Sequence, residues 1–196
     1  WPLERLGVAV DRVAAGQSAV LLVAGEAGIG KSALLGAAAA IAAERAVHVA
    51  WGTCLGGGGG PGYWPWTQAL DQLVRERGPD DVRAATGEDA ALLASIVPSL
   101  SGTRDGGTSE RDRLMAMDAT ARLLASLGSD RPILVVLDDL QWADDSSLAL
   151  LEFVARAPLM AGVGLVGAYR QDELSASTRQ RLGDLAPLAE HLRIEG

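Results

Sequence analysis

Gly25-Glu26-Ala27-Gly28-Ile29-Gly30-Lys31-Ser32 sets four residues between a leading glycine and a Gly-Lys-Ser triplet. Before it runs Ser18 to Ala24, short, apolar and rich in Val and Leu, as a strand buried on both faces should be. After it, Lys31 to Arg45 is an Ala/Leu-rich segment with the composition of a mostly buried helix. Glycines in the intervening turn let backbone N–H groups point inward around an anion, and the helix start adds partial positive charge. In such a turn Lys31 reaches the β and γ phosphates of a nucleotide, and the Ser32 hydroxyl serves Mg²⁺. The binding segment is therefore read as Gly25, Glu26, Ala27, Gly28, Ile29, Gly30, Lys31, Ser32 and Ala33, with Glu26 turned to solvent. Val47 to Trp51 reads as a second strand. Strand, turn, helix, strand is a βαβ unit, so the sheet is expected to be parallel.

A matching half lies at Ile133 to Asp139, ILVVLDD. A buried strand here delivers carboxylates to its C-terminal end, where the ligands of parallel α/β sheets collect. Asp138 is placed to hold Mg²⁺ through water, and Asp139 to orient or deprotonate an attacking water. Helical spacing follows from about Ser146 to Ala157, with Asp144 or Asp145 as cap. Val163 to Tyr169 reads as another strand, Leu174 to Leu185 as a helix, and His191 to Ile194 as the start of a last strand. At the front, Leu3 to Ala15 has helical spacing and Gly16 as its stop.

The middle of the chain changes character. Gly56 to Gly60 is an unbroken glycine run, followed by Tyr63, Trp64, Pro65 and Trp66. Helical periodicity returns at Thr67 to Arg77, Glu88 to Val97 and Glu110 to Leu127, with a polar loop over Ser99 to Thr108. The expectation is one domain over residues 1–196 with a helical insertion at about 55–130. The aromatic cluster is expected to anchor that insertion to the core. Trp142 is expected to pack its turn, and Gln141 is a weaker candidate for the γ-phosphate side.

Composition narrows the classes. The chain has 196 residues, is 48% hydrophobic, and carries a net charge of −8. That is enough apolar material to bury a core and too little positive charge to grip nucleic acid through its phosphates. No apolar run reaches the roughly 18 residues of a membrane span. The lone Cys54 excludes an internal disulfide and reads as a buried thiol, while His48 and His191 suggest no metal site. Lys31 is the chain's one lysine among 16 arginines, so its position in the glycine turn is the more pointed. A soluble, cytoplasmic domain is expected, cut from a longer protein.

GEAGIGKS at Gly25 to Ser32, YWPW at Tyr63 to Trp66, LDDLQWAD at Leu137 to Asp144 and GAYR at Gly167 to Arg170 together carry a resemblance. The chain resembles the nucleotide-binding domain of the large ATP-binding regulators of the LuxR family, members of the STAND class of P-loop ATPases. It is also similar to the ATPase modules fused to bacterial adenylate cyclases and kinases. The resemblance implies a three-layer αβα AAA-like core with strand order 5-1-4-3-2, ATP or ADP with Mg²⁺ as ligands, and a switch role. It makes Arg170, at the end of the fourth strand, a sensor of the γ-phosphate, alongside Lys31 and Asp139 as catalytic residues. An adenine-side Gly-Arg-Glu motif expected just before Leu3 is missing, as are the winged-helix, superhelical-repeat and helix-turn-helix regions. The fragment is thus expected to be monomeric, to bind ATP weakly and to leave DNA to other domains of a parent that can be oligomeric. A nucleotide-gated scaffold without turnover is the main alternative; a small-molecule kinase or DNA motor fits less well.

Overall fold

A computed structural model describes residues 2–57, 60–100, 109–158 and 160–195. Strands β1 (Ala19–Gly25), β2 (His48–Thr53), β3 (Ile133–Asp138), β4 (Val163–Arg170) and β5 (Glu190–Ile194) form one sheet. Their order is 5-1-4-3-2 and every adjacent pair is parallel, as the resemblance implies. Strand residues alternate between two cores, the period-2 consequence of the pleat. Leu21, Val23, Leu134, Val136, Val166 and Ala168 face α1 (Pro2–Ala14) and α2 (Lys31–Glu44). Leu22, Ala24, Ile133, Val135, Leu137 and Leu165 enter the core of the opposite face, which α3 (Trp64–Arg77), α6 (Glu110–Asp130), α7 (Asp145–Arg156) and α8 (Ala176–Asp184) cover. The result is a three-layer α/β sandwich.

The described residues between β2 and β3 form the crossover that joins these two strands. Its helices α3 and α6 supply much of that second layer, and two short helices, α4 (Pro79–Thr86) and α5 (Ala90–Leu93), pack against α6. The aromatic cluster joins this layer to the frame: Trp66 is fully buried and its indole N–H donates to the Ser147 carbonyl at 3.0 Å. Asp144 caps α7 by accepting from the Ser147 N–H at 3.0 Å and also accepts from the Tyr63 N–H at 3.4 Å.

Three local readings differ from expectation. The helix expected over Glu88 to Val97 is a 3₁₀ turn at Gly87–Asp89 followed by the single turn of α5. Gly87, at φ +53°, breaks it at one end, and Pro98 disfavours helix at Val97 at the other. Helix α4 was not anticipated, because eight residues opening on Pro79, Asp80 and Asp81 show little periodicity. Helix α8 begins at Ala176 rather than Leu174, because Ser175 takes the cap position and accepts from the Thr178 N–H at 3.0 Å. The loop expected at Ser99 to Thr108 lies mostly outside the described residues.

The approach of α3 to β2 depends on one glycine. A Cβ on Gly52 would sit 1.9 Å from the Pro65 carbonyl oxygen, so α3 could not start where it does. Gly52→Ala is expected to cost about 2–3 kcal/mol through forced displacement of backbone, read as a Tm lower by roughly 5–10 °C in thermal unfolding.

Candidate functional site

The described site lies at the C-terminal edge of the central strands. Strand β1 stops at Gly25, α2 starts at Lys31, and the five residues between make the turn. Gly28 and Gly30 take φ +75° and +100°, the left-handed region that glycine enters without a Cβ penalty. No side chain caps α2, whereas Ser109, Asp144 and Ser175 cap α6, α7 and α8. The N–H groups of α2's first turn are therefore left for an anion, at the positive end of a 14-residue helix. Glu26, Ala27, Gly28, Gly30, Ser32 and Ala33 are exposed and Ile29 is half-buried. A Cβ on Gly25 would lie 2.9 Å from Ile29 Cγ2 and 3.1 Å from the Ile194 carbonyl, so this close packing favours glycine.

Lys31 is 7% exposed, and its Nζ donates to the carbonyls of Gly25 at 3.0 Å and Glu26 at 2.6 Å. The ammonium is thus folded across the mouth of the turn. Burial lowers its pKa, Arg170 lowers it further, and Asp139, Asp138 and Glu173 act in the opposite sense. Those five charges consequently feel one another across a single site.

Asp138 ends β3 at 5% exposure, its Oδ1 accepting from the Asp139 N–H at 2.9 Å. Asp139 itself is left-handed, at φ 57° and ψ 43°, a conformation that aspartate tolerates better than most residues. That twist belongs to a linked set. The buried Gln141 donates from Nε2 to Asp139 Oδ1 at 2.7 Å and accepts from the Arg170 N–H at 3.0 Å. The Arg170 guanidinium reaches Glu173 Oε1 at 2.9 Å and stands 3.8 Å from Asp139 Oδ1. The hydrogen bond and charge of Glu173 are the main reasons the Arg170 pKa is raised. Register puts Arg170 beside Gly25 on the neighbouring strand, so the glycine turn and the arginine start from one rung of the sheet.

The structure thus brings Lys31, Asp138, Asp139 and Arg170 together. Both ends of the Gln141 amide are engaged in bracing Asp139 against β4. Sequence reading passed over Glu173, although its position three residues after Arg170 was the available signal. Trp142 is 42% exposed and lies against Gly56. Among the described residues no group of three or more His, Cys, Asp or Glu side chains could hold a metal unaided.

Cys54 follows β2 and is 4% exposed, its N–H donating to the Asp138 carbonyl at 3.0 Å. Burial, aided by Asp144, pushes its thiol up to about 12. At pH 8 the folded protein is expected to react with a thiol-specific reagent at least about tenfold more slowly than the urea-unfolded chain.

A glycine turn between a parallel strand and a helix, with the sheet order 5-1-4-3-2, defines the fold of the P-loop NTPases. Within that class the chain belongs to the AAA ATPase domain family, which matches residues 1–166. Among solved structures it is similar to the Aeropyrum pernix Orc1 protein in complex with DNA, with 20% identity, a TM-score of 0.54 and 99% of this chain covered. It is also similar to Cdc6p from Pyrobaculum aerophilum, with 15% identity, a TM-score of 0.55 and 98% covered. At these identities the likeness is one of fold. The chain spans 44% of the length of each. No curated protein matches it. Among the described residues no helix is long and apolar enough to cross a membrane.

Proposed function

We propose that this chain is an ATP-binding, slowly ATP-hydrolysing switch domain of a LuxR-type transcriptional regulator, working in the cytoplasm. The observation that carries the nucleotide reading is the convergence of Lys31, Asp138, Asp139 and Arg170 beside the uncapped start of α2. The residues fit Mg·ATP. The exposed glycine turn offers backbone donors to phosphate, and Lys31 already donates to two carbonyls at the mouth of that turn. Lys31 would hold the β and γ phosphate oxygens; Ser32 and Asp138 would hold Mg²⁺, Asp138 through water. When bound, Mg²⁺ supplies neutralisation of the phosphate charge. With Asp139 Oδ1 engaged by Gln141, Oδ2 is the acceptor for the proton of an attacking water. Arg170 would read the γ-phosphate.

The regulator assignment rests on LDDLQWAD and YWPW beside the P-loop. On this reading the partners are other domains of the parent chain, namely a winged helix, repeats and a DNA-binding helix-turn-helix. The Orc1 protein was solved with DNA, but here a net charge of −8 opposes direct nucleic-acid contact.

A second reading, a nucleotide-gated scaffold, draws on the pairing of Arg170 with Glu173 and Asp139, which neutralises the sensor and the base at once. Mass spectrometry of nucleotide retained on purification, followed by a phosphate-release assay with Mg²⁺, separates the two. Bound nucleotide with steady release supports the switch; bound nucleotide with no release supports the scaffold.

A further inference from the structure

Arg170 is held in two ways that differ in kind. Its backbone is fixed: β4 pairs with β1 at Gly25, and its N–H donates to the buried Gln141. Its side chain is one-third exposed, and so is Glu173, which grips it at 2.9 Å. A side chain leaving that pair has only to rotate, because its strand stays in place. Glu173 closes the 3₁₀ turn Gln171–Glu173, and two residues later Ser175 caps α8. The guanidinium therefore sits between two anions of its own chain, Glu173 and Asp139, and both act electrostatically on Lys31 as well.

We propose that Glu173 is an internal competitor for Arg170, pairing with the guanidinium and yielding it to the terminal phosphate of a nucleoside triphosphate. This rests on the nucleotide reading of the site and goes further, since it assigns the discrimination of triphosphate from diphosphate to an exchange of partners on one arginine. Carboxylate and phosphate oxygens present the same chemistry to a guanidinium, so a dianionic phosphate with Mg²⁺ nearby can replace Glu173 while the backbone stays still. A diphosphate ends short of the arginine and leaves the pair closed.

The test is titration calorimetry with ATP and with ADP, Mg²⁺ present, on the parent, Glu173→Gln, Asp172→Asn and Arg170→Ala, and on Glu173→Gln combined with Arg170→Ala. Glu173→Gln keeps the shape of the side chain and removes its claim on Arg170. It is expected to tighten ATP about three- to fivefold, the scale of losing one partly exposed pair, and to change ADP by less than about twofold. Asp172 is exposed and adjacent in sequence, so Asp172→Asn reports the effect of net charge alone. In the Arg170→Ala background Glu173→Gln is expected to change ATP affinity no more than Asp172→Asn does, which is the signature of coupling between Glu173 and Arg170. Equal tightening by Asp172→Asn, equal gains for ATP and ADP, or weaker ATP binding by Glu173→Gln would each overturn the exchange while leaving the nucleotide site standing. Absence of ATP binding by the parent would overturn the nucleotide reading and this inference with it.

Discussion

Replacing Asp139 with asparagine is expected to leave ATP bound and to slow phosphate release by about 100-fold or more, the usual scale for a lost positioned base. Asparagine is the informative choice on structural grounds. Position 139 is left-handed at φ 57°, where asparagine is as comfortable as aspartate and alanine is strained. The amide oxygen can still accept from Gln141 Nε2, so the brace to β4 survives the change. What disappears is a carboxylate able to take a proton, along with one negative charge beside the phosphates. Affinity for ATP should therefore hold or rise slightly while turnover collapses. Asp138→Asn gives the contrasting result, a higher Mg²⁺ requirement. Single-turnover phosphate release and calorimetry on the same samples check the pair, and unchanged turnover in both variants would remove Asp139 as the base and Asp138 as the Mg²⁺ residue.

Lys31→Ala is expected to weaken ATP by about 10- to 150-fold, or about 1.5–3 kcal/mol, for loss of a charge-assisted contact to phosphate. Stability should move little. The ammonium is disfavoured by its own burial, as its lowered pKa shows, so removing it relieves a desolvation cost as it gives up bonds to the Gly25 and Glu26 carbonyls. A fluorescent ATP analogue and a melting curve distinguish the outcomes. A variant with parental affinity would refute the P-loop assignment, and one that fails to fold would show that the lysine's bonds to the turn hold the strand–helix junction.

The parts of this chain that were legible in sequence share a physical cause. Each central strand is an apolar run ending in a residue with chemistry to perform, Gly25, Asp138 or Arg170, and burial on both faces leaves little choice for such runs but a parallel sheet. The sheet order came through resemblance rather than periodicity. What escaped was set by contacts between distant segments. Nothing local in Asp139-Leu140-Gln141 announces a left-handed aspartate braced by a glutamine against β4, because Arg170, which supplies the other half of the brace, lies on a different strand. Nothing in the sequence around Gly52 signals that the start of α3 packs directly on it. Helix α4 has too few turns for its apolar residues to repeat, and the start of α8 turned on the cap at Ser175 rather than on hydrophobic spacing.

The central place of β1 has a consequence for how the chain is made. Both neighbours of β1, the strands β4 and β5, are translated long after it, while β2 and β3 can pair with each other earlier. The strand that carries the glycine turn must therefore wait, apolar and with two open edges, until almost the whole domain has left the ribosome. Any chain stopped before β4 has every residue of the phosphate loop and no sheet to hold it. The glycine turn thus gains the sheet that holds it only late in assembly.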